Sequence, residues 1–318
     1  MPRISLARLG ERLRSAEGVL LAVHEQPDAD ALGSVLALAA GLRNAGQTVT
    51  IGCADPVPER YRFLPGWREI RRRVSPAPLA LVLDLNDPRR LNTLEKPVRA
   101  SGEVLVLDHH PGAPDWNVPR HIRPDAAASA LLVYRLLRVM RLPLTPEMAT
   151  CLLCGLGGDT GFFTFQNTSA EALEVAGRLV AAGANAYQVH RLSVAMLPLT
   201  ALRLRGIALS SVREAQQGRL VYAVLRLADF TASGAAEEEP EGIVDLLKVA
   251  AGGEVFVLFK QAGEADWRVS FRSDQLDVGS VARALGGGGH AVAAGCSVPG
   301  TEKAVVRLVL GKLKELWP

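Results

Sequence analysis

Cysteine is scarce in this 318-residue chain, with four copies: Cys53, Cys151, Cys154 and Cys296. Only Cys151 and Cys154 are neighbours, and no second pair completes a zinc site, so the thiols read as small buried core residues. No apolar run reaches the length needed to cross a bilayer, because Arg, Gly or Asp interrupts the longest stretches. Residues 1–15 carry spaced arginines, with neither an unbroken apolar segment nor a small-residue cleavage site, which argues against a secretory signal. The expected setting is the cytosol, with no membrane partner. Strong charge is missing too. A net charge of +3 suits anionic substrates but falls short of the basic footprint of a protein that coats long nucleic acid. No internal repeat is present.

What remains is a soluble globular composition, 48% hydrophobic and 22% charged, at a length that predicts two domains. The first half alternates continuously apolar runs with helical segments. Residues 19–24, 48–53, 79–85 and 104–108 read as strands of a parallel sheet covered on both faces. Helices are expected at 31–45, 126–141, 146–155 and 169–182, giving an α/β domain. Residues 185–204 read as helical and linker-like, with the domain boundary near 190. Alternation then restarts, with strands expected near 207–213, 220–227, 255–260 and 267–272 and helices near 243–250, 278–285 and 302–316. Residues 233–242 read as an acidic, solvated surface loop.

The acids and histidines fall where those apolar elements end. In open α/β sheets the ligand crevice lies outside the carboxyl ends of the strands, so side chains at those ends converge. His24, Asp28 and Asp30 follow the first strand and lead into Gly33-Ser34. An Asp-rich turn with a helix cap is the plain alternative for them. Asp84 ends the third apolar run, where it could simply cap a turn. Asp108-His109-His110 closes the fourth, and imidazoles there suit ligands or proton carriers. Asp159 sits among glycines that allow close backbone approach. Each cluster has a plain explanation alone; four in this order do not.

The chain resembles the DHH phosphoesterase family, named for a triplet like Asp108-His109-His110, and the match covers nearly its whole length. Pro27 to Ala31 with Gly33-Ser34 looks like the family's first motif, Asp84 its second, and Gly158-Asp159-Thr160-Gly161 its fourth. Gly158 departs from the Thr usual in relatives. Ser270-Phe271-Arg272-Ser273, the glycines 286–289 with His290, and Ala293-Ala294-Gly295 resemble the DHH-associated domain. The resemblance implies an α/β fold: a parallel-sheet DHH catalytic domain at 1–188, a helical linker at 189–205, and a smaller α/β substrate-binding domain at 206–318.

It also implies that His24, Asp28 and Asp84 hold one metal ion and that Asp30, Asp84, His109 and Asp159 hold the other, with Asp84 as bridge. A carboxylate-rich set with one imidazole per ion favours two Mn²⁺ ions, with Mg²⁺ or Co²⁺ as substitutes. Such a pair acidifies water and stabilises phosphoryl charge for in-line hydrolysis. His110 is the candidate to bind phosphate or protonate the leaving oxygen, and Asp108 to fix a neighbouring imidazole. Arg272, Ser273, Gly287, Gly288, Gly289 and His290 are the expected substrate-binding group: a cation beside unobstructed backbone N–H donors. A Gly-rich stretch alone would mark an ordinary turn.

Length, domain order and Glu241-Gly242 leading into 243–249 resemble the nanoRNase group, oligoribonucleases with 3′-phosphoadenosine 5′-phosphate phosphatase activity. The implied partners are short single-stranded RNA or DNA oligonucleotides and nucleotides, and a homodimer is compatible with the sequence. A soluble cyclic-dinucleotide phosphodiesterase is the alternative. Pyrophosphatases and polyphosphatases lack the Gly-Gly-Gly-His and Arg pairing, and a non-catalytic RNA-binding module would be expected to have lost a ligand.

Overall fold

The computed structural model describes residues 3–85, 87–110, 116–236 and 242–317. It divides into two compact units between Met196 and Leu197. Among the described residues no single helix is long and apolar enough to cross a membrane.

The first unit runs α1 (Leu6–Ser15), β1 (Val19–Ala22), α2 (Ala29–Asn44), β2 (Val49–Gly52), β3 (Ile70–Arg71), β4 (Leu79–Leu83), α3 (Glu95–Arg99), β5 (Glu103–Asp108) and β6 (Arg120–Ile122). It continues with α4 (Ser129–Val139), α5 (Pro146–Asp159), α6 (Ala170–Ala181) and α7 (Ala186–His190). The strands form one parallel sheet in the order β3-β2-β1-β4-β5-β6. Every residue of β1 and β4 is buried, which is why these strands read as unbroken apolar runs rather than as alternation. One face is covered by a core drawn largely from α2, α4 and α5, and the other by a smaller cluster that includes Leu91, Leu94 and Val98. Strand order reverses between β1, which continues to β2 on one side, and β4 on the other. That reversal is the switch point at which open sheets leave a crevice.

Three glycines set how closely α2 and α5 approach. A Cβ on Gly33 would run into the Cys151 carbonyl oxygen and lie 2.8 Å from the Gly155 nitrogen. On Gly155 it would lie 2.9 Å from Asp30 Oδ1 of α2 and 2.9 Å from Ala130 Cβ of α4, and on Gly158 2.5 Å from Ala29 Cβ. At Gly158, where the family resemblance expects Thr, packing against Ala29 fills the space in this chain.

The second unit contains α8 (Leu199–Ser210), β7 (Arg213–Ala215), β8 (Leu220–Leu225), α9 (Leu227–Ser233), α10 (Ile243–Leu247), β9 (Val255–Gly263), β10 (Asp266–Ser273), α11 (Val278–Ala284), β11 (Gly288–His290), β12 (Ala293–Pro299) and α12 (Glu302–Leu313). Its sheet order is β11-β12-β10-β9-β8-β7, antiparallel except for the parallel pair β8 and β9. The strand expected at 207–213 is a correction: Ile207 to Ser210 end α8, because Leu204 and Ala208, four apart, pack one helical face into the core. The strand itself is confined to Arg213–Ala215. Residues 237–241 of the expected acidic loop, Glu241 among them, fall outside the described residues.

Candidate metal centre

β1 and β4 deliver His24 and Asp84 to the switch point, and β5 delivers Asp108, His109 and His110 beside them. Asp84 adopts left-handed backbone (φ 57°), a conformation that costs a non-glycine residue energy and that Asp tolerates better than most. Its N–H donates to the Leu107 carbonyl at 3.1 Å, tying the turn after β4 to β5. Asp28 is the N-cap of α2, one oxygen accepting from the Asp30 and Ala31 amides while the other faces His24. Asp159 is the last residue of α5, where the negative end of the helix dipole favours a nearby cation.

The side chains gather into two groups that share Asp84. His24 Nε2 lies 3.7 Å from Asp28 Oδ2 and 3.6 Å from Asp84 Oδ2. His109 Nε2 lies 3.9 Å from Asp30 Oδ2, 3.7 Å from Asp84 Oδ1 and 3.0 Å from Asp159 Oδ2. The two oxygens of one carboxylate thus face two different imidazoles. Each imidazole is oriented from behind: His24 Nδ1 lies 2.6 Å from the Glu25 carbonyl and His109 Nδ1 3.2 Å from that of Ala126. Donation of Nδ1–H to those carbonyls leaves each Nε2 as the ligand nitrogen, the usual arrangement around a metal-binding histidine.

Protein atoms alone leave this site unbalanced. His109 Nε2 is buried with no aligned hydrogen-bond partner, despite the nearby Asp159 oxygen. Burial pushes the Asp30 carboxyl well above its ordinary range, and the Asp84 and Asp159 charges add to this. Burial and Asp84 likewise raise Asp159 against the opposing pull of His109. Burial disfavours the charged form of His24, yet Asp28 and Asp84 outweigh it and hold the pKa up at about 10. At His109 the same contest, against Asp159 and Asp84, ends at about 9. The cluster therefore demands positive charge. Oxygen- and imidazole-rich groups at His24–Asp28–Asp84 and Asp30–His109–Asp159, with no thiolate among them, fit hard or borderline divalent cations.

Asp108 is fully buried and its Oδ1 accepts from the His109 amide (2.8 Å), the His110 amide (3.2 Å) and His110 Nδ1 (2.8 Å). It holds His110, which is 44% exposed at the side chain, and keeps its pKa raised through that hydrogen bond.

Sequence reasoning passed over Ser129. The Ser129 hydroxyl donates to Asp84 Oδ1 at 3.0 Å, and its amide donates to Asp30 Oδ2 at 2.6 Å. The Ala130 amide donates to the other Asp30 oxygen at 2.8 Å. Ala128, the N-cap of α4, has no side-chain oxygen, so Asp30 takes the capping role from α2. Nothing local in the sequence marks this. Ser34 is more weakly placed, its hydroxyl 3.4 Å from Asp30 Oδ1.

On the second unit the expected substrate group separates. Ser273 is buried, donates to the Glu254 carbonyl and accepts from the Gln275 and Leu276 amides, which uses its full capacity. The Gly287 amide is committed to the Ala282 carbonyl at 2.8 Å. Local turn geometry uses both of these groups. Gly288, Gly289 and His290 form the exposed edge strand β11, with Gly289 at φ 128°. Arg272 pairs with Asp245 at 2.9 Å.

Comparison with known proteins agrees with this architecture. The profile of the DHH family, N-terminal domain, matches residues 18–156, and that of the DHHA1 domain matches 217–315. The chain is 33% identical over 300 residues to the bifunctional oligoribonuclease and PAP phosphatase NrnA of Thermus thermophilus, covering 92% of this chain and 88% of that protein. It is 24% identical to the protein of the same name from Bacillus subtilis, over 90% and 91% of the two chains. An exopolyphosphatase-related protein from Bacteroides fragilis shares the fold, with TM-score 0.90 at 23% identity over 98% and 95% of the two chains. The chain belongs to the DHH phosphoesterase family with a DHHA1 domain, in its nanoRNase group.

Proposed function

We propose that this protein is a metal-dependent hydrolase of short 5′-phosphorylated oligoribonucleotides, dinucleotides above all, and of 3′-phosphoadenosine 5′-phosphate. The observation that carries the reading is the Asp84 carboxylate, with Oδ2 3.6 Å from His24 Nε2 and Oδ1 3.7 Å from His109 Nε2. One ion would be held by His24, Asp28 and Asp84, the other by Asp30, Asp84, His109 and Asp159. Mn²⁺ is the proposed occupant, with Mg²⁺ or Co²⁺ as substitutes. When bound, two such ions supply a water of lowered pKa and charge stabilisation at the phosphoryl oxygens. The chain's own residues do the rest. Asp108 fixes His110 at Nδ1, so His110 is oriented and its protonated form is favoured, which equips it to donate to phosphate or to give a proton to a leaving oxygen. On the second unit, Arg272 and the edge residues Gly288, Gly289 and His290 are the proposed phosphate-recognition group. An anionic substrate would compete with Asp245 for the Arg272 guanidinium.

The names of the similar proteins support this substrate class, since NrnA is called both an oligoribonuclease and a PAP phosphatase. The test is a side-by-side assay with Mn²⁺ on 5′-phosphorylated di-, tri- and longer oligonucleotides, the bisphosphate nucleotide, cyclic dinucleotides and pyrophosphate. Dinucleotides and the bisphosphate nucleotide should be turned over fastest, and chelation should silence the enzyme. Preferential turnover of cyclic dinucleotides or pyrophosphate would overturn the assignment.

A further inference from the structure

Two adjacent arginines follow Asp84, and they have different surroundings. Arg89 forms a bidentate pair with Asp87, at 3.0 Å and 2.6 Å. Arg90, also exposed, forms no ion pair with a carboxylate among the described residues, although its charge helps lower the Asp87 pKa; its Nη2 lies 3.1 Å from His24 Nδ1. That contact is not a hydrogen bond of the ordinary kind. The Glu25 carbonyl is closer to the same nitrogen, at 2.6 Å, and a carbonyl can only accept, so Nδ1 carries its hydrogen toward Glu25. A guanidinium has donors only. Two donors therefore face each other, and the Arg90 N–H groups are left without an acceptor there.

The position of Arg90 is nevertheless fixed. Its carbonyl accepts from the Glu25 amide at 2.8 Å, and the Asn92 side chain donates to Glu25 Oε2 at 2.6 Å. Asn92 itself has left-handed backbone (φ 51°), which marks a local bend of this segment. A cation is thus held against the His24 side of the centre by backbone docking, with its donors uncommitted to any acceptor among the described residues. Planar, charge-assisted donors in that state suit the oxygens of a phosphoryl group.

We propose that Arg90 is a substrate-binding residue that takes a phosphoryl oxygen on the His24 side of the centre. This rests on the phosphoesterase reading above, and the measurements keep the two separable. Inorganic phosphate and adenosine 5′-monophosphate are titrated calorimetrically into Mn²⁺-loaded wild type, Arg90→Ala, Arg90→Lys and Arg89→Ala, and Mn²⁺ affinity is measured on each protein separately. Arg90→Ala should weaken both anions roughly ten- to a hundredfold, the scale of one charge-assisted hydrogen bond. Its Mn²⁺ affinity should stay within about twofold, because removing a donor that His24 cannot accept costs the metal nothing. Arg90→Lys should recover part of the loss, and Arg89→Ala, an equal change in net charge, should behave as wild type. With a 5′-phosphorylated dinucleotide, Arg90→Ala should raise KM more than it lowers kcat. Unchanged phosphate affinity in Arg90→Ala would overturn the proposal. So would a parallel fall in Mn²⁺ affinity, which would show that the residue acts through His24. If wild type binds both anions but turns over no nucleotide, the functional reading fails while the phosphate site stands.

Discussion

Replacing Ser129 by Ala removes one oxygen and no backbone group, so it isolates a single link to the bridging carboxylate. The hydroxyl donates to Asp84 Oδ1 at 3.0 Å in a site with no solvent exposure at Ser129 and 1% at Asp84. A hydrogen bond to a charged group contributes about 1.5–3 kcal/mol, which corresponds to roughly a 10- to 150-fold change in an equilibrium constant. Removing a partner that orients a metal ligand typically weakens metal binding or activity about 10- to 100-fold, so the two routes agree. The amide of residue 129 still donates to Asp30, so α4 keeps its cap and the fold should survive. Calorimetric Mn²⁺ titration should show both ions weakened, because the lost contact serves the carboxylate they share. Specificity constants for a dinucleotide should fall in step. Ser34→Ala is the control: its 3.4 Å contact to Asp30 is too long to matter by more than about 1 kcal/mol. Metal affinity and turnover within about twofold of wild type in Ser129→Ala would refute the reasoning.

Other perturbations separate the remaining parts. Asp84→Ala should abolish turnover and disturb both metal sites, whereas Asp159→Ala should chiefly weaken the one near His109; anomalous scattering on metal-soaked crystals distinguishes them, and an active Asp84→Ala would end the two-metal assignment. Gly33→Ala puts a methyl group against backbone of α5 and should destabilise the fold by about 1–3 kcal/mol, read by urea denaturation, and loosen the spacing of Asp30 and Asp159. In chelated protein, His24 and His109 titrate at about 10 and about 9 in the folded state against an ordinary 6.5, so their contribution is complete below about pH 6.5 and is lost as pH rises to 9–10. The melting temperature of chelated protein should therefore fall across that window, and a rise would contradict the charge balance described for the site.

How much was legible follows from where information sits in the chain. His24, Asp84 and Asp108 each end a buried strand, and parallel sheets gather strand ends, so one local pattern predicted a distant meeting. Ser129 gave no such signal, because its partners Asp84 and Asp30 are 45 and 99 residues away and a serine before an apolar run reads as an ordinary helix start. β3 and β6 were passed over because they are two and three residues long and carry arginine. At 207–209 an apolar triplet looks like strand until the i, i+4 pair Leu204 and Ala208 is weighed. The glycine run before His290 reads as loop by composition, yet β12 offers it a pairing edge and turns its second half into strand.

The cap that Asp30 provides for α4 bears on how such a protein would decay if its reaction were no longer needed. Asp159 takes no backbone donor among the described residues, so drift could remove it with little penalty to the fold. Asp30 is different: losing it would strand the buried amides of Ser129 and Ala130, at about 1–3 kcal/mol each. A descendant without catalysis would therefore shed Asp159 early and keep Asp30 as a relic of architecture. An inventory of acids in such lineages should take the loss of Asp159 as the sign of a silent enzyme, and give no weight to the survival of Asp30.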